Sequence, residues 1–379
     1  MPVDQLIGQA RVVIVCPWFF QADAVGAAAR ETYLRLSYDD RFDVTALYTL
    51  NDYDDVKGRQ VATLADLLLD PDFLVADVII YVFAIYHEFF NAMLVGNGHA
   101  KQVVRFHNVT PKRFMPEKHW GVIDKSFTQI QNFRRADEVW ADSRENLEEL
   151  ARQHVIGDHI HVVPLAVIPP AVAKLEDKPT DLIELLYVGR FAVSKGILDL
   201  VKAAAQLKSL TDTPFRLRLV GNMRLSDQDY VSSIQREIKK AGLEDVVEMV
   251  GTASNDMLAE AFKTSHIYVT ASRHEGFCVP VIEALASGCI PVSYPVSNLR
   301  YIADGLGKLA ADDTPGSLAE ALHKVVESLS TPSALLSLDR GEMSAAQFDK
   351  MAAEYVEGFS PLRFGQNVSD RVGALVGDD

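Results

Sequence analysis

Short apolar, β-branched runs alternate with amphipathic stretches along this chain, and the alternation runs twice, on either side of a proline-rich break. That pattern constrains the fold more than any other feature, because it is the signature of β-α-β units wrapped around parallel sheets. In the first half, strands fit at 12–16, 43–50, 78–83, 102–106, 138–141 and 161–163, with helical patterns such as 24–36 and 146–154 between them. The segment PLAVIPPAVAKLEDKPTD, residues 164 to 181, is rich in proline and charge and reads as a linker. The pattern then restarts, with strands at 184–188, 216–220, 246–250, 267–270 and 290–293 and helices after Lys195, after Asp227, at 255–263 and at 279–287. The expected fold class is α/β, two Rossmann-like doubly wound domains at 1–165 and 166–343. A C-terminal helix and tail at 344–379 is expected to cross back to the first domain, and the tail beyond Phe364 to be frayed.

A chain of 379 residues, 48% hydrophobic, is long enough for two cores. No apolar run approaches the ~20 residues of a membrane span. The start, MPVDQLIGQARVVIVCPWFF, has an acid near its front and bulky aromatics after its apolar run, so it reads as a buried strand and not a signal peptide. Cys16, Cys278 and Cys289 are an odd set without paired spacing, which predicts reduced thiols and a cytoplasmic setting. Net charge is −15, which argues against a nucleic-acid partner. The charge is uneven: from His99 to Arg135 eight basic residues face two acids, a net +6 that leaves −21 for the remainder. That segment is either a solvated face or a patch for an anionic partner, such as the inner face of a membrane or a pyrophosphate-linked acceptor.

Ligands of open parallel sheets bind beyond the carboxyl ends of the strands, so the segments that follow strands carry the chemistry. YVGRFAVSKG, 187 to 196, leaves a strand at Gly189, exposes Arg190 and brings Lys195 to the start of a helix. An arginine fork, a lysine and helix amides suit phosphate oxygens; a loop with two solvated cations is the plainer alternative. SRHEGFCVPVIEALASG, 272 to 288, puts Glu275 and Gly276 after a strand, Val279 at a helix start, and Glu283 about one turn inside it. Two carboxylates at that junction can accept from vicinal hydroxyls of a hexose or a ribose, while the amides hold phosphate between them.

Together these segments resemble the family 4 glycosyltransferases, the retaining GT-B enzymes of glycosyl transferases group 1, across the C-terminal half, including VGTAS at 250–254 and GCIPV at 288–292. The resemblance implies two domains facing a cleft. It implies Arg190 and Lys195 on a diphosphate, Glu275 on the transferred sugar, and Glu283 on the ribose. Gly189, Gly276, Phe277, Cys278 and Val279 would give backbone contacts, and Thr252 and Ala253 would meet the base. Relatives often have glycine where this chain has Cys278. RFHNVTP, 105 to 111, is similar to the family's strand-end histidine segment, which implies His107 beside the donor sugar. The turn PWFFQADAVGAAAR offers Gly26 where relatives often have two glycines.

The implied activity is metal-independent, retaining hexosyl transfer from a nucleoside diphosphate sugar, a GDP-sugar such as GDP-mannose being favoured over a UDP-sugar. No cofactor beyond the donor is implied. The implied acceptor is a saccharide or lipid-linked saccharide of cell-surface polysaccharide or glycolipid assembly, reached from the cytoplasm or the inner membrane face. A GT-B epimerase, a two-lobed sugar-binding protein and a silent GT-B scaffold are the competing readings. Asp52 and Asp54 form a DxD in an acidic turn that reads as solvated, and His154, His159 and His161 lack the regular spacing of metal ligands.

Overall fold

The computed structural model describes residues 8–21, 23–224, 226–331 and 334–377. Two compact units divide the chain: Met1–Ala166 with Ser360–Asp379, and Val167–Phe359. The first is built on a parallel seven-stranded sheet of β1 (Ala10–Val15), β2 (Phe42–Tyr48), β3 (Gly58–Gln60), β4 (Val78–Phe83), β5 (Lys101–Phe106), β6 (Glu138–Ala141) and β7 (Ile160–Val162), in the order β3-β2-β1-β4-β5-β6-β7. The order turns about β1 and β4, as in doubly wound sheets. Successive side chains of a strand point to opposite faces. Val13, Val15, Ile79, Tyr81, Phe83, Val104 and Phe106 therefore join one core. Val12, Ile14, Val78, Ile80, Val82, Val103 and Trp140 join the other. A strand buried on both faces needs a continuous apolar run, which is why VIIYVF shows no alternation. Helices α1 (Ala24–Ser37), α2 (Trp120–Ile130) and α3 (Arg144–Arg152) belong to this unit.

The second unit carries a parallel sheet of β8 (Ile183–Val188), β9 (Phe215–Val220), β10 (Val247–Gly251), β11 (Ile267–Thr270), β12 (Ile290–Ser293) and β13 (Lys308–Leu309), in the order β10-β9-β8-β11-β12-β13. Its longer helices are α4 (Ile197–Leu210), α5 (Gln228–Lys240), α6 (Asn255–Thr264), α7 (Val279–Ala286), α8 (Pro315–Ser330) and α9 (Ala345–Glu357). The linker segment is pinned to this unit by a buried lysine. Lys178 Nζ donates to the carbonyl oxygens of Ser287 at 2.6 Å and Gly288 at 3.0 Å, and also to that of Ser265. These carbonyls follow α6 and α7, so one ammonium satisfies the ends of two helices.

Beyond Met343 the chain is not the single piece 344–379 that the sequence suggests. Helix α9 stays with the second unit: Ser344 and Gln347 form its capping box, and Asp349 accepts from the backbone amides of Leu175 and Glu176. The last segment is not frayed but forms α10 (Pro361–Val376) in the first unit, up to the two final residues that lie outside the described set. Ser360 caps it, Pro361 opens it, and Phe364, Val368 and Val372 are buried at four-residue spacing in the core that also holds Ala29, Tyr33 and Leu36 of α1. Gly365 lets α10 approach Arg35, whose Cδ would lie 2.8 Å from an added Cβ. Glycines at 365, 373 and 377 dilute the pattern and hide this helix in the sequence. All three cysteines are buried and unbridged. No helix among the described residues is long and apolar enough to cross a membrane.

Candidate functional site

In the second unit the residues singled out by sequence gather along the carboxyl edge of the sheet. Three adjacent strands reach it in glycine: Gly189 follows β8, Gly221 follows β9, and Gly251 ends β10. The Gly221 amide donates to the Gly251 carbonyl at 2.9 Å, and a Cβ on Gly221 would stand 1.9 Å from the Gly189 oxygen. Gly221 was not among the sequence candidates, although VGN at 220–222 repeats the strand-glycine pattern of VGR at 188–190. Thr252 is exposed and Ala253 half-buried in the short turn between Gly251 and Ser254, which caps α6.

The loops after β8 and β11 are laced together. Gly196 stands at φ 66°, and a Cβ there would lie 2.1 Å from the Ala271 carbonyl oxygen, so only glycine fits. The Arg273 amide donates to the Ser194 carbonyl at 2.8 Å, and the Arg273 guanidinium reaches Asp199 at 2.5 Å and Asp313 at 2.7 Å. This lacing brings Lys195 Nζ to 2.7 Å from Glu275 Oε1, with side-chain exposures of 20% and 12%. Arg190 is exposed, and its carbonyl accepts from the Tyr187 hydroxyl at 3.0 Å.

The loop from Glu275 is also held from a segment that the sequence reading passed over. Ser297 Oγ accepts from the Glu275 amide at 2.8 Å, and buried Asn298 donates from Nδ2 to the Phe277 carbonyl at 2.7 Å. The only sequence signal for that support is the turn-forming SN after β12. Gly276 lies in this loop, Phe277 is buried against the Phe359 ring, and Val279 opens α7. Glu283, in the second turn of α7, is half-buried, and burial raises its carboxyl from 4.5 to about 7.

Cys278 takes a left-handed backbone, φ 79° and ψ 66°, at the N-cap of α7. A side chain in that region costs roughly 1–2 kcal/mol, while burying a small thiol returns about 1 kcal/mol. The two nearly cancel, so Cys278→Gly should unfold within about 1 kcal/mol of the parent in urea titrations. A β-branched side chain is a true outlier at positive φ, so Cys278→Val should lose about 2 kcal/mol or more. Equal stability of the glycine and valine variants would refute the strain account.

In the first unit, His107 follows β5, and its Nδ1 lies 2.6 Å from Asp142 Oδ2, both side chains being under 5% exposed. Fully buried Arg105 contacts the other carboxylate oxygen at 3.2 Å. Gly26 lies in the first turn of α1, where the nearest atom to an added Cβ would be the Phe20 carbonyl oxygen at 2.4 Å. Its small size thus serves packing against its own chain, and the Asp23 carboxylate occupies the helix end. The basic segment presents less surface charge than its count suggests. Arg105 is interior, Lys101 pairs with Asp137 at 3.1 Å, and Lys112 pairs with Asp124 at 2.5 Å, leaving Arg113, Lys118, Lys125, Arg134 and Arg135 exposed. Trp120 is 39% exposed beside Lys112.

The family model described as Glycosyl transferases group 1 matches residues 172–335. GDP-mannose:cellobiosyl-diphosphopolyprenol alpha-mannosyltransferase of Xanthomonas oryzae pv. oryzae is 31% identical over 125 residues, 33% of this chain and 32% of that protein. D-inositol 3-phosphate glycosyltransferase of Arthrobacter sp. is 32% identical over 225 residues, 57% of this chain and 50% of that one. The match thus spans between a third and a half of these curated relatives' length. Among solved structures, sucrose-phosphate synthase from Thermosynechococcus elongatus superposes with TM-score 0.73 at 16% identity, covering 98% of this chain and 100% of that one. Anabaena HepE in complex with UDP and glucose gives 0.71 at 13% identity, covering 97% and 100%. Identities this low speak to the fold alone.

Proposed function

From a chain with the GT-B fold whose residues 172–335 belong to the glycosyl transferases group 1 family, we propose retaining transfer of a hexose from a nucleoside diphosphate sugar to an acceptor hydroxyl. The observation that carries the proposal is the Lys195–Glu275 pair at 2.7 Å on a glycine-lined sheet edge, with exposed Arg190 beside it in sequence. In the proposed reaction the bond from the anomeric carbon to the diphosphate oxygen breaks, and the acceptor oxygen bonds the same face of that carbon. The acceptor proton passes to the departing phosphate. Arg190, Lys195 and the amides opening α7 neutralise the charge that develops on the diphosphate. Glu275 accepts from sugar hydroxyls, with Lys195 and Ser297 fixing its position, and Glu283 accepts from the ribose. This arrangement supplies the neutralising charge from side chains, so turnover is expected to persist in excess chelator.

The donor proposed first is GDP-mannose, which the name of the Xanthomonas relative supports. A thermal-shift panel of GDP, UDP, ADP and their sugars tests this. A ligand that binds only the native state adds about 2.7 kcal/mol at a hundred times its Kd. GDP and GDP-mannose should raise the unfolding temperature most. A panel in which no nucleotide raises it would remove the donor-site assignment.

The acceptor proposed is a saccharide on a lipid carrier, and the supporting feature is the run of exposed cations Arg113, Lys118 and Lys125 in the segment that also exposes Trp120. Near an anionic bilayer each basic residue adds about 1 kcal/mol, screened over ~10 Å at 0.1 M salt. The protein should therefore sediment with phosphatidylserine vesicles at low salt, not with phosphatidylcholine ones, and release as salt rises. Replacing Lys112, Arg113, Lys118 and Lys125 with glutamine should abolish sedimentation and spare nucleotide affinity. No sedimentation of the parent protein at low salt would end the membrane proposal.

A further inference from the structure

We infer that Asp142, held as a carboxylate by buried Arg105, is a positioning residue that fixes His107 with its proton on Nδ1, so that Nε2 presents a bare lone pair to a hydroxyl of the ligand. The register builds this arrangement. Arg105 pairs with Trp140 and Phe106 with Ala141 across the parallel strands β5 and β6, so the next residues, His107 and Asp142, leave the sheet side by side. Arg105 and His107 are two apart and share a side of β5, and Asp142 meets both.

Asp142 Oδ2 lies 2.6 Å from His107 Nδ1, and Oδ1 lies 3.2 Å from Arg105 Nη2. Arg105 is 0% exposed, donates to the Val163 carbonyl at 3.2 Å, and stacks over the Phe364 ring at 5.0 Å. A guanidinium does not give up its proton, and a buried one needs a negative partner, which the Asp142 carboxylate supplies at 3.2 Å. An ionised carboxylate only accepts. The proton of the 2.6 Å bond therefore resides on Nδ1, and a neutral imidazole then has an acceptor at Nε2. That atom is buried and has no hydrogen-bond partner among the described residues. Buried polar atoms are nearly always partnered, so a bare acceptor at the end of a sheet strand points to an absent donor. An acceptor there selects an O–H or N–H and repels a phosphate oxygen. That the hydroxyl belongs to the transferred sugar rests on the glycosyltransferase reading; the proton placement does not.

Two-bond nitrogen–proton NMR on the full chain, with ¹⁵N-labelled histidine, reads the tautomer directly, and His107→Gln assigns the signal. At neutral pH the parent protein should show a protonated Nδ1 and a bare Nε2. Asp142→Asn offers an amide donor to Nδ1 and should move the proton to Nε2, as an equivalent change does in the serine-protease triad. A parent spectrum with the proton on Nε2, or on both nitrogens, overturns the inference even if the asparagine variant does not fold, and so does an unchanged tautomer in a folded variant. With GDP-mannose as donor, Asp142→Asn should lower kcat at least about tenfold while the Kd for GDP stays within about twofold. The His107→Gln/Asp142→Asn pair should be no slower than His107→Gln alone. If no sugar nucleotide binds, the glycosyltransferase reading fails and the NMR result still stands on its own.

Discussion

Arg190→Ala is expected to lower kcat/KM by about 2–4 kcal/mol, some thirty- to a thousandfold, without moving the unfolding temperature. Removing one preorganised charge from a developing anion has that scale. The side chain is exposed, so the fold has little to lose. Lys195→Ala should show the same loss in turnover together with a measurable fall in stability. Its ammonium is mostly covered and faces Glu275 at 2.7 Å, so the alanine strands a carboxylate that is only 12% exposed. Adding Glu275→Gln to Lys195→Ala should restore stability but not turnover, because the neutral amide no longer needs a cation. Steady-state kinetics on the donor and urea titrations of the three proteins separate the two effects. Full donor kinetics in both single variants would place the donor elsewhere.

Those predictions draw on residues that are legible in the sequence. Arg190, Lys195, Glu275 and Glu283 bear charged side chains, and each follows a strand whose apolar run is plain in the sequence. What the sequence concealed is the support behind them. Ser297 and Asn298 hold the Glu275 loop through one hydroxyl and one amide, and Arg273 ties it to Asp199 across 74 residues. Such contacts have no local periodicity, since the topology alone brings the segments together. The same holds for Asp142, which has no motif of its own and is found only through the β5–β6 register. Helix α10 escaped for a different reason: glycines at 365 and 373 lower its intrinsic propensity, and burial of Phe364, Val368 and Val372 overrides that cost. Lys178 misleads in the opposite direction: it lies in the charged, proline-rich linker stretch, yet it caps two helices from inside.

Glu283 should make the protein less stable as pH rises from acid to neutral, and Glu283→Gln should remove that trend. Burial lifts the folded-state carboxyl from 4.5 to about 7. Between those values the native protein keeps a proton that the unfolded chain has lost. Stability then falls with rising pH, because the native state binds more protons than the unfolded one. The contribution is fully present below about pH 4.5 and gone above about pH 7, with a ceiling near 3 kcal/mol for a shift of this size. Glutamine resembles the protonated acid in shape and polarity, so the variant should match the parent near pH 4.5. At pH 8 it should exceed the parent by up to about 3 kcal/mol. In the proposed donor site ligand binding should show the opposite preference: ribose hydroxyls would donate to the ionised carboxylate, so nucleotide affinity in the parent should weaken about tenfold per unit below pH 7. In Glu283→Gln affinity should be lower and nearly flat with pH. Urea midpoints at pH 5, 6, 7 and 8, with titration calorimetry in two buffers of different ionisation heat, measure both arms. Parallel stability curves for the two proteins would show that Glu283 is not held neutral in the free protein. Equal proton release on nucleotide binding by both would take the ribose contact away from it.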